Sequence, residues 1–276
     1  MNSEKQHNEG KVGIGVITRN RSALFRECIN GVPEADVIVV VNDGDAYPAT
    51  FYPTRVSKVV QHRKNVGVGR SKNDALRILL RHGCSHIFLC EDDIRIHDPD
   101  LCRRYIRASE KTGICHFNFG YHGPRNKLSD GTPHPRKVVD YGNGVRIGLN
   151  YHLVGAFSYF RSDILRTIGL FDPLYRNMLE HIDHTYRIIR EGFHPPFWWF
   201  ADLADSWRSI DDLDPDLSMT TIKNSRWTTF ASFRMSNFYF CLKHGSYVQN
   251  LPDVGEEQVK RSLKNIELKN GATNSA

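Results

Sequence analysis

The 276-residue chain contains no apolar run near the ~20 residues that span a bilayer; its densest stretch, Val37-Ile38-Val39-Val40-Val41, is only strand length. Its six cysteines include no CxxC pair and sit mostly inside apolar segments. Reduced thiols are therefore expected, rather than a disulfide framework. No block of five or more Lys/Arg occurs, which argues against a dedicated DNA-binding domain. The opening MNSEKQHNEG lacks the apolar core of a signal peptide. No internal repeat is visible. These absences lead to an expected cytoplasmic protein, with peripheral contact at the inner membrane face as the alternative. What is present is ordinary for a globular chain: 40% hydrophobic, 11% aromatic and 25% charged residues, enough for a sizeable core. Lys and Arg number 37 against 31 Asp and Glu, a net charge of +6 that favours anionic partners such as nucleotides.

The N-terminal half alternates strand and helix signals. Strands are expected over 12–18, 37–41, 56–61 and 86–90, the second almost wholly β-branched, as in a strand buried on both faces. Helices are expected over 22–30, 71–82 and 100–112, the middle one stopping at Gly83. This rhythm with short connectors predicts a doubly wound, mainly parallel α/β sheet. The stretch 121–150, rich in Gly, Pro and basic residues, reads as a long loop with short strands. Further helices are expected over 161–169 and 177–191. Beyond Pro252 the chain turns polar and reads as a tail, ending in a disordered GATNSA.

The chemistry concentrates at strand ends. Glu91-Asp92-Asp93 directly follows an apolar strand, and three adjacent carboxylates repel one another unless a cation is present. Strand alternation puts Glu91 and Asp93 on one face, a pairing that suits Mg²⁺ or Mn²⁺. Asn42-Asp43 and Thr18-Arg19-Asn20 end two other strands, so polar groups from all three should gather at one sheet edge, where open α/β sheets bind ligands. In Asn65-x-Gly67-x-Gly69-Arg70-x-x-Asn73 an arginine stands at a helix start, favourable for an anion. His194-Pro-Pro-Phe-Trp-Trp-Phe200 reads either as core packing or as a stacking wall for sugars or bases. His116 and His122 read as packing residues or as part of a pocket. A nucleotidyltransferase would need a glycine-rich phosphate loop after the first strand; Thr18-Arg-Asn-Arg-Ser22 is not one.

Taken in order, Gly15-Val-Ile-Thr-Arg-Asn20, Val39-Val-Val-Asn-Asp43-Gly, the Asn65 to Asn73 segment and Phe88-Leu-Cys-Glu-Asp-Asp93 resemble the nucleotide-sugar half of family-2 glycosyltransferases with the GT-A fold. The likeness continues through Gly155-Ala-Phe-x-x-Phe-Arg, Ile168-Gly-Leu-Phe-Asp172 and Glu180-His-Ile-Asp-x-x-x-Arg187, and spans roughly 11–200. It implies a single GT-A domain over 11–250, with a nucleotide-sugar half (11–120) and an acceptor half (121–250), between a disordered tail (1–10) and a polar tail (251–276). It also implies inverting, metal-dependent transfer from a UDP-sugar to a hydroxyl of a glycan, such as lipopolysaccharide or capsule; a modified base in DNA is the alternative acceptor. By this resemblance Thr18, Asn20, Asn42, Asp43, Asn65, Arg70, Asn73 and Asp92 belong to the nucleotide side, and Glu91 and Asp93 to the metal. The family's base is the Asp of a Glu-Asp pair; here the pair is Glu180-His181. Alignment gives the role to His181. On a helix, however, Glu180, Asp183, His184 and Arg187 share one face while His181 lies about 100° away. That geometry favours Glu180 or Asp183 as base, leaving His181 or His184 free to ligate metal or phosphate. Oligomeric state is not legible.

Overall fold

The computed structural model describes residues 10–176, 178–215 and 226–271. The chain opens with β1 (Val12–Thr18), α1 (Ser22–Gly31), β2 (Val37–Asn42), β3 (Lys58–Gln61), α2 (Val68–Arg81) and β4 (His86–Glu91). Next come β5 (Ile94–Ile96), α3 (Leu101–Thr112), β6 (His116–Asn118), β7 (Lys137–Asp140), β8 (Arg146–Asn150), β9 (Phe157–Arg161), α4 (Ser162–Ile168) and α5 (Glu180–Arg190). The chain closes with β10 (Phe200–Leu203), β11 (Ile210–Asp212), α6 (Arg226–His244) and α7 (Glu256–Gly271). The expected N-terminal tail and most of GATNSA lie outside the described residues.

A six-stranded sheet in the order β3-β2-β1-β4-β9-β6 forms the centre. β3, β2, β1 and β4 pair in parallel, and β9 is antiparallel to both its neighbours, so it alone runs against the rest. The mainly parallel α/β class read from the sequence is what forms. Side-chain alternation divides two cores. Val37, Val39 and Val41 of β2 join Ala75, Leu76 and Leu79 of α2, whereas Ile38 and Val40 join Phe25 and Ile29 of α1 on the other face. Gly15 lets α2 approach β1 closely: a Cβ there would stand 2.8 Å from the Cβ of Ala75. A second sheet, β10-β8-β7, contains the short strands expected within 121–150, β7 and β8, and β11 pairs with β5.

The polar tail expected over 251–276 is corrected by α7. Its Val259, Leu263 and Ile266 recur at helical spacing, are buried in the first core, and dock the helix on α3. Average polarity hid this stripe, because the other faces of the helix are charged. The described cysteines are all free thiols, and only Cys241 is not fully buried. No helix among the described residues is long and apolar enough to cross a membrane.

His116, His184 and His194 are all buried within this framework. Burial holds their imidazoles neutral, lowering His184 to about 3, His194 to about 4 and His116 well below its ordinary value. Burial pushes three carboxyls the other way: Asp92 rises to about 7 despite the pull of Arg21, Asp202 rises to about 6, and Asp93 is raised as well. In acid the unfolded chain takes up the histidine protons first, which lowers stability, while the raised carboxyls bind protons first in the folded chain and oppose this with the reverse sign. Three groups stand on each side, so stability should change little between pH 6 and 4. Below pH 4 it should fall, because Asp183, held down to about 2, must be protonated. Urea midpoints measured from pH 7 to 3 check the plateau and the fall.

Candidate active site

The order β2-β1-β4 reverses direction between β1 and β4, the place where open α/β sheets leave a crevice beyond the strand carboxyl ends. Thr18 ends β1 opposite Asn42 of β2, and Ile17 pairs with Glu91 of β4, so the three polar strand ends do share one edge. A cavity of about 600 Å³ opens there.

Within the acidic triplet, each carboxylate meets a different partner. Asp92 turns away from the cavity; it accepts the Thr18 hydroxyl at 2.6 Å and binds the Arg21 guanidinium. Asp93 faces the cavity; its Oδ2 accepts Arg21 Nη1 at 2.9 Å, while its buried Oδ1 has no hydrogen-bond partner. Glu91 pairs with the Lys72 ammonium at 2.7 Å. The repulsion expected in the sequence is thus answered by two cations that the sequence reading passed over. Burial still pushes the Asp93 carboxyl up, with His122 and Arg21 pulling it down.

Lys72 is buried in α2, bridges Glu91 to Glu180 Oε1 (3.1 Å), and donates to the Gly155 carbonyl at 3.3 Å. Burial disfavours its charge, but Glu91 and Glu180 overcome that and hold its pKa above the ordinary lysine value. Reciprocally, Lys72, with His181, holds the Glu180 carboxyl far below the usual range against the cost of burial. Glu180 also meets His181 Nδ1 at 3.3 Å, and both side chains line the cavity.

The helical face of Glu180, Asp183 and His184 proves to be the one packed inward. Asp183 is fully buried among Arg187, Lys243 and His244 and does not line the cavity, which removes it as the base. His184 stacks on Phe171 with ring centroids 4.3 Å apart, and its Nε2 lies 3.1 Å from the Gly169 carbonyl, so it is a core residue and not a metal ligand. His181, offset from that face, lines the cavity together with Glu180.

Also lining the cavity, Asp43 accepts the Val66 and Gly67 amides at 2.8 and 2.9 Å and meets His62 at 2.8 Å, tying the 62–67 loop to the end of β2. Gly67 has φ +95°, and a Cβ there would stand 2.3 Å from the Arg176 carbonyl oxygen. Helix α2 therefore starts at Val68, earlier than the spacing predicts, and Arg70 falls on its exposed side, outside the cavity lining. Asn65 does line the cavity, and its buried Oδ1 lacks a partner. The other asparagines are structural. Asn42 closes its own turn through Gly44 and Asp45, Asn20 accepts the Asp45 amide, and Asn73 bonds both backbone groups of Phe171. Asn20, Asn42, Arg70, Asn73 and Asp92 are thus not among the residues that line the cavity.

More of the cavity lining comes from the acceptor-side sequence. His122 has Nε2 3.7 Å from Asp93 Oδ2 and Nδ1 2.9 Å from Asp212 Oδ1. Trp198, at φ +70°, stacks on Tyr151 with centroids 4.8 Å apart, and both face the cavity. Trp198 Nε1 donates to the Leu251 carbonyl at 2.9 Å, which fixes the ring. Of the aromatic run, Trp199 and Phe200 are buried, so packing and cavity wall are both present in one segment. Arg21 and Lys72 are the main site residues missed in sequence, the strand-end position of Arg21 being the available signal; His122, read as packing or pocket, lines the cavity.

No family model matches the chain, and no curated protein matches it. Solved structures match in fold. The crystal structure of S. aureus TarS 1-349 has a TM-score of 0.52 at 15% identity, covering 96% of this chain and 73% of that one. A second S. aureus TarS crystal structure gives 0.53 at 15% identity, over 96% of this chain and 44% of that one. GalNAc-T7, crystallised with UDP, GalNAc and Mn²⁺, gives 0.56 at 11% identity, over 95% of this chain and 55% of that one. The chain spans less than two thirds of the latter two. At these identities the likeness establishes the fold, which is of the GT-A type.

Proposed function

We propose that the protein is an inverting glycosyltransferase that moves a sugar from a UDP-sugar to a hydroxyl acceptor. The observation that carries this is the meeting, in one cavity at the β1/β4 crevice, of Asp93, Asn65 and Asp43 with the Glu180–His181 pair. The crystal structure of GalNAc-T7, a fold neighbour, holds UDP, GalNAc and Mn²⁺, which supports the same ligand class here.

The residues fit a divalent ion, Mn²⁺ or Mg²⁺. Asp93 Oδ1 is a buried, partnerless carboxylate oxygen at the cavity. Among the described residues no cluster of three or more His, Cys, Asp or Glu could hold a metal, so most donors would come from diphosphate and water, as Mg²⁺-type sites allow. Such an ion supplies positive charge for the departing diphosphate. Glu91 is not counted as a ligand, because Lys72 occupies it.

The rest of the chemistry belongs to side chains. Asn65 and Asp43 border the nucleotide, and Arg19 and Arg125, on the same cavity, suit its phosphates. Glu180 fixes His181 through Nδ1 and leaves Nε2 to take the proton. As the acceptor oxygen bonds to the anomeric carbon, its proton passes to His181, and the bond from that carbon to the diphosphate oxygen breaks with its electron pair leaving on UDP. Glu180, held strongly acidic by Lys72, is a poor base, so it acts as the positioning residue.

The stacked Trp198–Tyr151 pair suits a saccharide acceptor, the class that includes lipopolysaccharide and capsule. The protein with Mn²⁺ is expected to release UDP from one member of a UDP-sugar panel, slowly without acceptor and faster with the correct glycan. Absence of both UDP binding and UDP release across the panel would reject the reading. Were DNA the acceptor, binding would weaken steeply with salt in a log–log plot.

A further inference from the structure

We infer that His122 is the second protein ligand of the divalent ion and that Asp212 is its positioning residue. The inference rests on the metal-dependent reading above and goes beyond it by naming the nitrogen donor.

Asp93 is 6% exposed and lines the cavity, and its buried Oδ1 has no hydrogen-bond partner. A charged oxygen left so is costly unless a donor or cation reaches it. Arg21 does not fill that role, since its contact with Asp93 is through Oδ2. The His122 imidazole, 8% exposed, lines the same cavity. Its Nε2 stands 3.7 Å from Asp93 Oδ2, too far for a hydrogen bond. Two ligands of one small cation stand apart in just this way, each reaching the ion and not the other.

The far side of the ring supplies the second observation. His122 Nδ1 lies 2.9 Å from Asp212 Oδ1, an ion-pair contact that is not aligned as a hydrogen bond. A ligating histidine commonly turns its other nitrogen to a carboxylate, which fixes the tautomer and raises ligand basicity. Asp212 is itself immobilised: Oδ2 accepts the Gly123 amide at 2.6 Å and lies 3.5 Å from the Lys127 ammonium, and Oδ1 accepts the Asp214 amide at 3.1 Å. With its oxygens engaged in this way, Asp212 orients the ring and is not a ligand. The backbone ties it to Asp93. Asp212 pairs with Ile94 across the β11–β5 ribbon, and the Leu213 amide donates to the Asp93 carbonyl at 2.8 Å. The spacing between Asp93 and His122 is thus built into the fold.

Chemical class follows from the donors. Glu91 and Asp92 are neutralised by Lys72 and Arg21, which leaves one carboxylate oxygen and one imidazole. An imidazole donor tilts preference from Mg²⁺, which favours oxygen, toward Mn²⁺.

The test uses the full chain with UDP and Mn²⁺, read by electron paramagnetic resonance. Wild type is expected to immobilise Mn²⁺ with electron-spin-echo modulation from one imidazole nitrogen. His122→Ala should lose that modulation and bind Mn²⁺ weakly, and Asp212→Asn should weaken binding by about 10–100-fold. Bound Mn²⁺ in wild type without nitrogen modulation overturns the inference whether or not the variants fold. So does a folded His122→Ala that binds Mn²⁺ as wild type does. Failure of wild type to bind Mn²⁺ in the presence of bound UDP overturns the metal-dependent reading itself, a different result from either of these.

Discussion

Replacing His181 with Gln is expected to lower turnover by roughly 10²–10⁴-fold, the usual contribution of a positioned general base. The affinity for UDP should stay near that of wild type, because the assignment above gives His181 to the acceptor hydroxyl and Asn65 and Asp43 to the nucleotide. Folding should be little affected: the side chain is 23% exposed, and its one hydrogen-bond partner among the described residues is Glu180. Steady-state kinetics with the identified donor separate the effects, since losing a base lowers kcat with little change in donor KM. Glu180→Gln is expected to lower kcat less, by loosening the ring. If His181→Gln retains turnover while Glu180→Gln loses it, the proton goes to the carboxylate and the base assignment falls.

That assignment marks where sequence reasoning stopped. The β-branched run at 37–41 and the polar groups after three apolar strands were legible, since a two-residue period and turn chemistry are local properties. Facial arithmetic on α5 correctly grouped Glu180, Asp183 and His184, but a shared face is first of all a buried face. There Asp183 and His184 meet cations and aromatic rings from other elements. Lys72 lies deeper still beyond sequence reasoning. A lysine on a helix is normally assigned to solvent, and its partner Glu180 stands 108 positions away. His122 needed Asp212 and Asp93 beside it before a packing residue could be told from a ligand. The α7 stripe was local and could have been read, had the spacing of Val259, Leu263 and Ile266 been weighed above average polarity.

Lys72→Met is expected to produce the largest loss of stability. The substitution keeps an unbranched chain in the same space but removes the ammonium that lies 2.7 Å from Glu91 and 3.1 Å from Glu180. Two carboxylates then face each other across an apolar side chain, and Glu180 is only 3% exposed. Breaking a buried ion pair from one side costs about 3–5 kcal/mol. At roughly 2–4 °C per kcal/mol for a chain of this size, the melting temperature should drop by about 6–20 °C. The sign of the pH dependence identifies the cause. In wild type the Glu180 carboxyl is held below its unfolded value, so its share of stability is complete at neutral pH and lost only in strong acid. In the variant, burial without a cation raises the same carboxyl above its unfolded value, so stability should decline as pH rises from 5 to 8. Adding Glu180→Gln to Lys72→Met should then restore much of the loss and flatten that decline, because the pair is coupled. Calorimetry of the two single variants and the double variant at both pH values decides: equal losses at pH 5 and 8, with no recovery in the double variant, would mean that Lys72 acts through packing and not through charge.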